Sequence, residues 1–278
     1  MSNSIAAELL VLRKRAATWI LLGIWMTLAL MFAYVVPYIS WRNAAGSPTQ
    51  GSLAGMLPAN VLGNILGGFP FFGGAFALML GVLSLGSEYG WGTLKTLVTQ
   101  RPGRLRLFSA KLAALSIVLI PFVVLVFAVG ALSSALIAQQ QHAALDWPSL
   151  VAVGKALLGG WLIMATWVAL GVMLAVLSRE TALAIGVGIL YGLVIEGLLS
   201  ALVNQSSLLQ PLVKGFLRAN GYSLVKGLGA GFDAAADRGP GSFSGPFVGS
   251  GQAALVLAGY IVVLVAVSAI ALRRRDIA

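Results

Sequence analysis

Few residues in this chain have a type and a placement that suggest chemistry. Glu196 and Lys155 are ionisable groups inside or at the edge of long apolar stretches. A charge there costs several kcal/mol unless it is paired or hydrated. If those stretches cross a bilayer, Glu196 lies about seven residues below one end of its run, roughly 10 Å deep, and Lys155 about five residues from the same face. Their similar depth points to an ion pair or a shared polar cavity. The alternatives are that Lys155 snorkels to the headgroups and Glu196 is protonated or faces an interface. His142 is the single histidine and lies near Asp146 in a short connecting segment. One histidine cannot make a paired-His zinc site. The chain has no Gly-x-x-x-x-Gly-Lys-Ser/Thr loop and so does not bind ATP through one. Nor does it have a Gly-x-Ser-x-Gly elbow. Gly227, Gly229 and Gly231 are closely spaced, but no strand–helix unit surrounds them, which favours a loop over a phosphate cradle. Cysteine is absent, which removes disulfides and thiolate metal ligands. These residues do not add up to a catalytic centre, and no cofactor is expected in the chain itself.

The elements that hold them are set by composition. Of 278 residues, 59% are hydrophobic and 9% charged, with mean hydropathy +0.95. A soluble domain has about a quarter of its residues charged, and a chain this apolar would expose large patches in water. Six long apolar runs follow one another: about Ala17–Ile39, Val61–Leu85, Leu112–Ala138, Leu150–Leu177, Ala182–Val203 and Ala253–Leu272. Each has the roughly 20 residues a helix needs to cross the hydrocarbon. Transmembrane strands are short and alternate in polarity, so an all-α bundle is expected. The first run is too long for a signal-peptide core and is read as a retained span. Gly67, Gly68 and Pro70 soften the start of the second. Gly63-x-x-x-Gly67 and Gly188-x-x-x-Gly192 allow helices to approach closely.

The 18 Lys and Arg against 8 Asp and Glu give a net charge of +10, and where those charges sit matters more than their sum. With six spans, one face carries Arg13, Lys14, Arg15, Lys95, Arg101, Arg104, Arg106, Lys111, Arg179 and Arg273 to Arg275. The other carries Arg42, Lys155, Lys214, Arg218, Lys226 and Arg238. The richer face is expected to be cytoplasmic, with both termini on it. No basic groove with polar or aromatic readers is visible, so nucleic acid is not an expected partner.

Between the runs, residues 2–15 combine apolar Ile5, Leu9, Leu10 and Leu12 with a closing Arg13-Lys14-Arg15. They read as an amphipathic helix on the cytoplasmic surface, or as a tail with a basic stop. The extracytoplasmic loop 204–252 begins with Leu208, Leu209, Leu212, Val213, Phe216 and Leu217, which form one continuous helical stripe. A second short helix is expected around Tyr222, Leu224, Val225 and Leu228. These helices would lie at the outer surface or cap the bundle, as a lid or a gate. The stretch 229–251 is rich in Gly, Ala, Ser and Pro and reads as irregular.

The cytoplasmic stretch 87–111 is the most informative. Thr93 can cap a short helix whose apolar residues Leu94, Leu97 and Val98 recur at helical spacing. Pro102-Gly103 breaks it, and a second basic helix leads into the third run. A short helix with an apolar face and a basic end, standing off the membrane, suits the groove of a peripheral protein. For Arg101, Arg104, Arg106 and Lys111, headgroup anchoring is the main expectation.

The run Glu88…Gly92-Thr93-Leu94-Lys95…Leu97-Val98-Thr99…Pro102…Arg104…Lys111 resembles the cytoplasmic coupling-helix region of type-2 ABC exporter permeases. The amphipathic N-terminus, six spans and closing Arg273-Arg274-Arg275-Asp276-Ile277 resemble that family in layout; the specific motif covers only residues 87–111. Gly103 departs from the family's frequent small or Ser residue at that place. The resemblance implies that Thr93 to Thr99 sit in a cleft of a separate ATPase subunit. Glu88, Gly92, Thr93, Leu94, Lys95, Leu97, Val98 and Arg101 would then be the coupling residues. Glu88 would either pair across that interface or be a solvated residue at a helix start.

It further implies a permease subunit in the cell inner (plasma) membrane, paired with a second permease copy or a related one. ATP and Mg2+ would be bound by the partner subunit, and clamping of the coupling helices would switch access to a central path. Two other readings stay open: a secondary transporter that uses Glu196 for a proton or sodium ion, and a membrane anchor or assembly subunit that transports nothing.

Overall fold

The computed structural model describes residues 2–47, 52–90, 103–203, 210–230, 243 and 245–274. They are mostly helical, with no strand among them. Among the described residues, five helical runs are long and apolar enough to cross a membrane: Ala16–Asn43, Pro58–Ser87, Leu105–Gln140, Leu150–Ser178 and Ser250–Arg274. This is a membrane protein with an all-α fold.

Helix α1 (Ser2–Lys14) ends on Arg13 and Lys14, where the helix dipole favours cations. Arg15 alone is extended and turns the chain into α2 (Ala16–Leu30). A π-turn at Met31–Val35 joins α2 to α3 (Val36–Asn43). Pro37 in α3 has no N–H to offer the carbonyl four residues back, on Ala33. That carbonyl accepts instead from Asn64 Nδ2 at 2.9 Å. The second run starts with two 3-10 turns and α4 (Val61–Leu66). A π-turn at Phe69–Gly73 containing Pro70 then leads into α5 (Gly74–Gly90). The softened start expected from Gly67, Gly68 and Pro70 is this interruption.

Helix α6 (Arg104–Gln140) is continuous through Pro121 and is about 55 Å long, well beyond the hydrocarbon thickness. Helix α7 (Leu150–Ser178) is capped by Ser149, whose Oγ accepts from the Ala152 amide. It stops at Arg179, which is in the left-handed conformation. The expected fifth span is helical from Thr181 to Leu202 in three contiguous pieces: α8 (Thr181–Leu190), a π-turn (Tyr191–Ile195) and α9 (Glu196–Leu202). Helices α10 (Gln210–Lys214), α11 (Leu217–Gly227) and α12 (Ser250–Arg274) complete the chain.

Helices α5 and α7 form the centre. They meet backbone to backbone: a Cβ on Gly81 would press on the Val168 carbonyl, and one on Gly171 would collide with the Leu78 carbonyl. Such contact gives helices van der Waals attraction that lipid cannot supply. Trp25 seals the neighbouring layer, edge-on to Phe69 at 5.2 Å, with Phe69 in turn 5.8 Å from Phe127.

The loop between the fifth and sixth runs differs from the expected continuous stripe. Gly215 and Phe216 divide it, with Phe216 extended between α10 and α11. Helix α11 is also not amphipathic in its packing, because every residue from Leu217 to Val225 is buried. Its Gly221 lies against Pro70 and its last turn against Ser250, so it is inserted among the membrane helices.

Candidate functional site

The main polar cluster forms around Glu196, which is 1% exposed. A helix leaves its first amides without partners. Helix α11 begins after Phe216, whose side chain has no acceptor to cap them. The Glu196 carboxylate supplies the cap from another helix: Oε1 accepts from the Leu217 amide at 3.0 Å and Oε2 from the Arg218 amide at 2.7 Å. Negative charge at a helix start is also favoured by the dipole. The π-turn Tyr191–Ile195 brings Tyr191 and Glu196, five residues apart, onto one side. Tyr260 on α12 reaches the same cluster and donates to the Gly215 carbonyl at 2.8 Å.

The Arg218 side chain is 4% exposed and belongs to the same buried cluster. Its Nη1 donates to the Gly192 carbonyl at 3.3 Å, and its guanidinium lies 4.8 Å over the Phe71 ring and 5.5 Å from that of Tyr222. Asn220 Nδ2 closes the α10–α11 turn by donating to the carbonyls of Lys214 and Phe216. Lys155, the expected partner of Glu196, is instead exposed near the start of α7. Similar depth along two helices does not place two side chains on facing sides, and here it does not bring them together. A lysine one turn from a helix end can carry its charge to the headgroups.

Chemically, the cluster is one carboxylate, one guanidinium and two phenols. Each carboxylate oxygen accepts from a backbone amide of α11, which suits Glu196 to holding that helix in place. His142 and Asp146 are both exposed. No three His, Cys, Asp or Glu among the described residues could hold a metal.

At the opposite end, the residues expected to couple, Gly92, Thr93, Leu94, Lys95, Leu97, Val98 and Arg101, lie outside the described residues. Glu88 is in the last turn of α5. Lys111 is turned inward instead of toward headgroups, and its Nζ donates to Glu8 Oε2 at 2.8 Å, with both side chains at most 10% exposed. Arg15 Nη1 donates to the Leu83 carbonyl at 2.7 Å, and Nη2 to the Ser87 hydroxyl. The signal for Glu8 is in the sequence, where it shares a helical face with Ile5 and Leu12. An acid on a buried face needs a cation.

Compared with curated proteins, the chain has no significant match. One family model, described as a protein of unknown function, covers nearly all of it. With residues 17–278 matched, everything after α1, the chain belongs to the DUF2705 family.

Proposed function

We propose that this protein is the membrane subunit of an ATP-driven transporter, an exporter whose energy comes from a separate cytoplasmic ATPase. The observation that carries the reading is the stretch 87–111. Its sequence pairs an apolar helical face with a basic end, and it runs between the end of α5 and the head of α6, the first of which belongs to the central α5–α7 contact. A protein gripping that stretch would act directly on the packed centre of the bundle. In this reading the helical run from Thr181 to Leu202 is a sixth span, both termini are cytoplasmic, and the membrane is the inner (plasma) membrane. A second copy or a related permease completes the path, and ATP and Mg2+ belong to the partner.

Ion-coupled transport through Glu196 has less support, because both oxygens of that carboxylate are engaged by backbone amides of α11. The test is co-purification of the full chain from membranes of its own cells. An ATPase subunit should be retained by the wild type and lost with Leu94→Asp/Leu97→Asp, while the permease still accumulates in the membrane. Retention of every partner by that variant would reject the coupling assignment.

A further inference from the structure

Helix α1 meets both sides of the 91–102 segment, and it does so through charge. On one side Arg15 donates to Leu83 and Ser87, one turn apart near the end of α5, just before the chain leaves for the segment. On the other side Glu8 holds Lys111, about two turns into α6 after the chain returns. Arg15 is the single extended residue between α1 and α2, so that contact pins the corner itself. A merely interfacial helix would bury an apolar face and leave its charges in water. Here α1 buries Glu8 beside Leu12, while Arg13 and Lys14 stay exposed. A buried ion pair is a poor source of stability compared with apolar packing, and its best-attested use is to fix register.

We infer that Glu8, Arg15 and Lys111 are positioning residues that lock α1 to the end of α5 and the head of α6, so that these three helix ends move as one body when the ATPase partner acts. The inference rests on the proposed function for the motion, while the lock itself can be measured without it. The ion pair sets the register of α1 on α6, and the Arg15 contacts set its register on α5. Displacement of the segment by a partner is thereby passed to α2 as well as to α5 and α6.

The chain has no cysteine, so Leu10→Cys and Leu105→Cys, both exposed on α1 and α6, can be spin-labelled without interference. In lipid nanodiscs the full chain should give one narrow distance distribution between the labels. Glu8→Lys and the milder Glu8→Gln should broaden it, and the swap Glu8→Lys/Lys111→Glu should narrow it again. In the complex with the ATPase, the distance should stay unchanged on adding MgATP. Permease-dependent ATP turnover should fall about tenfold in Glu8→Gln with the partner still bound, within the range reported for mutations along a coupling route. It should recover in the swap. A narrow distribution in both single variants, a nucleotide-dependent change in the distance, or unaltered turnover would each overturn the inference. If instead no ATPase is held through Leu94 and Leu97, the proposed function fails, and the distance measurements on the chain alone still decide the lock.

Discussion

At the residue scale, Glu196 and Lys155 look alike in sequence and differ in the folded chain. Both are charges in apolar runs, but only Glu196 is buried, and it is held by groups more than twenty residues away. Glu196→Gln replaces an acceptor pair with one acceptor and one donor, leaving an α11 amide unmatched. An unmatched buried amide costs about 1–3 kcal/mol, so the melting temperature in detergent should fall by several degrees. Lys155→Gln, at an exposed site, should change stability by less than about 0.5 kcal/mol. A double-mutant cycle of Glu196→Gln with Arg218→Met should give a coupling of about 1–3 kcal/mol, the range for groups in one polar network. Depth was legible in the sequence because it follows from rise per residue. Orientation around the helix axis was not, because it depends on the π-turn at Tyr191–Ile195, which five ordinary residues do not announce.

At the scale of elements, apolar run length was enough to locate the helices, since a bilayer demands it. The interruptions were only partly legible. Pro37 and Pro70 mark two of the three π-turns, and the third has no proline. The burial of α11 was not legible, because Arg218 and Asn220 make Leu217–Gly227 read as a surface helix. Its burial depends on partners from α9 and its own turn. The α5–α7 contact was equally hidden: Gly81 and Gly171 are two among 34 glycines and belong to no Gly-x-x-x-Gly pair, whereas Gly63, Gly188 and Gly192 of those pairs are closely packed as expected. Gly171→Val should drive its side chain into the Leu78 carbonyl and sharply lower the yield of folded protein in fluorescence size-exclusion. Gly154→Ala, where nothing lies within 4 Å of the new Cβ, should be tolerated or raise stability by up to about 1 kcal/mol through helix propensity. Asn64→Ala should cost about 1–3 kcal/mol by leaving the Ala33 carbonyl unmatched in an apolar setting.

At the scale of the whole molecule, two polar arrangements mark the two ends of an otherwise apolar bundle. One is the Glu196–Arg218 cluster, which holds an inserted helix between the last two runs. The other is the pair of tethers from α1, which brackets the 91–102 segment. Helices α5 and α7 connect the two ends: α5 runs down to the segment, and α7, packed on it through Gly81 and Gly171, reaches α11. In the proposed complex, a pull on the segment would therefore reach the inserted helix through one rigid contact. The charge of +10 takes its meaning from this arrangement. Lys111, Arg15 and Arg218 are spent on internal contacts, which a count of charges by side of the membrane does not distinguish from headgroup anchors. The most direct test of the account is ATP hydrolysis by the partner ATPase in proteoliposomes with and without this chain. The account predicts that the chain raises the rate and that Leu94→Asp/Leu97→Asp returns it to that of the ATPase alone; a rate indifferent to the chain, or to those two substitutions, would contradict it.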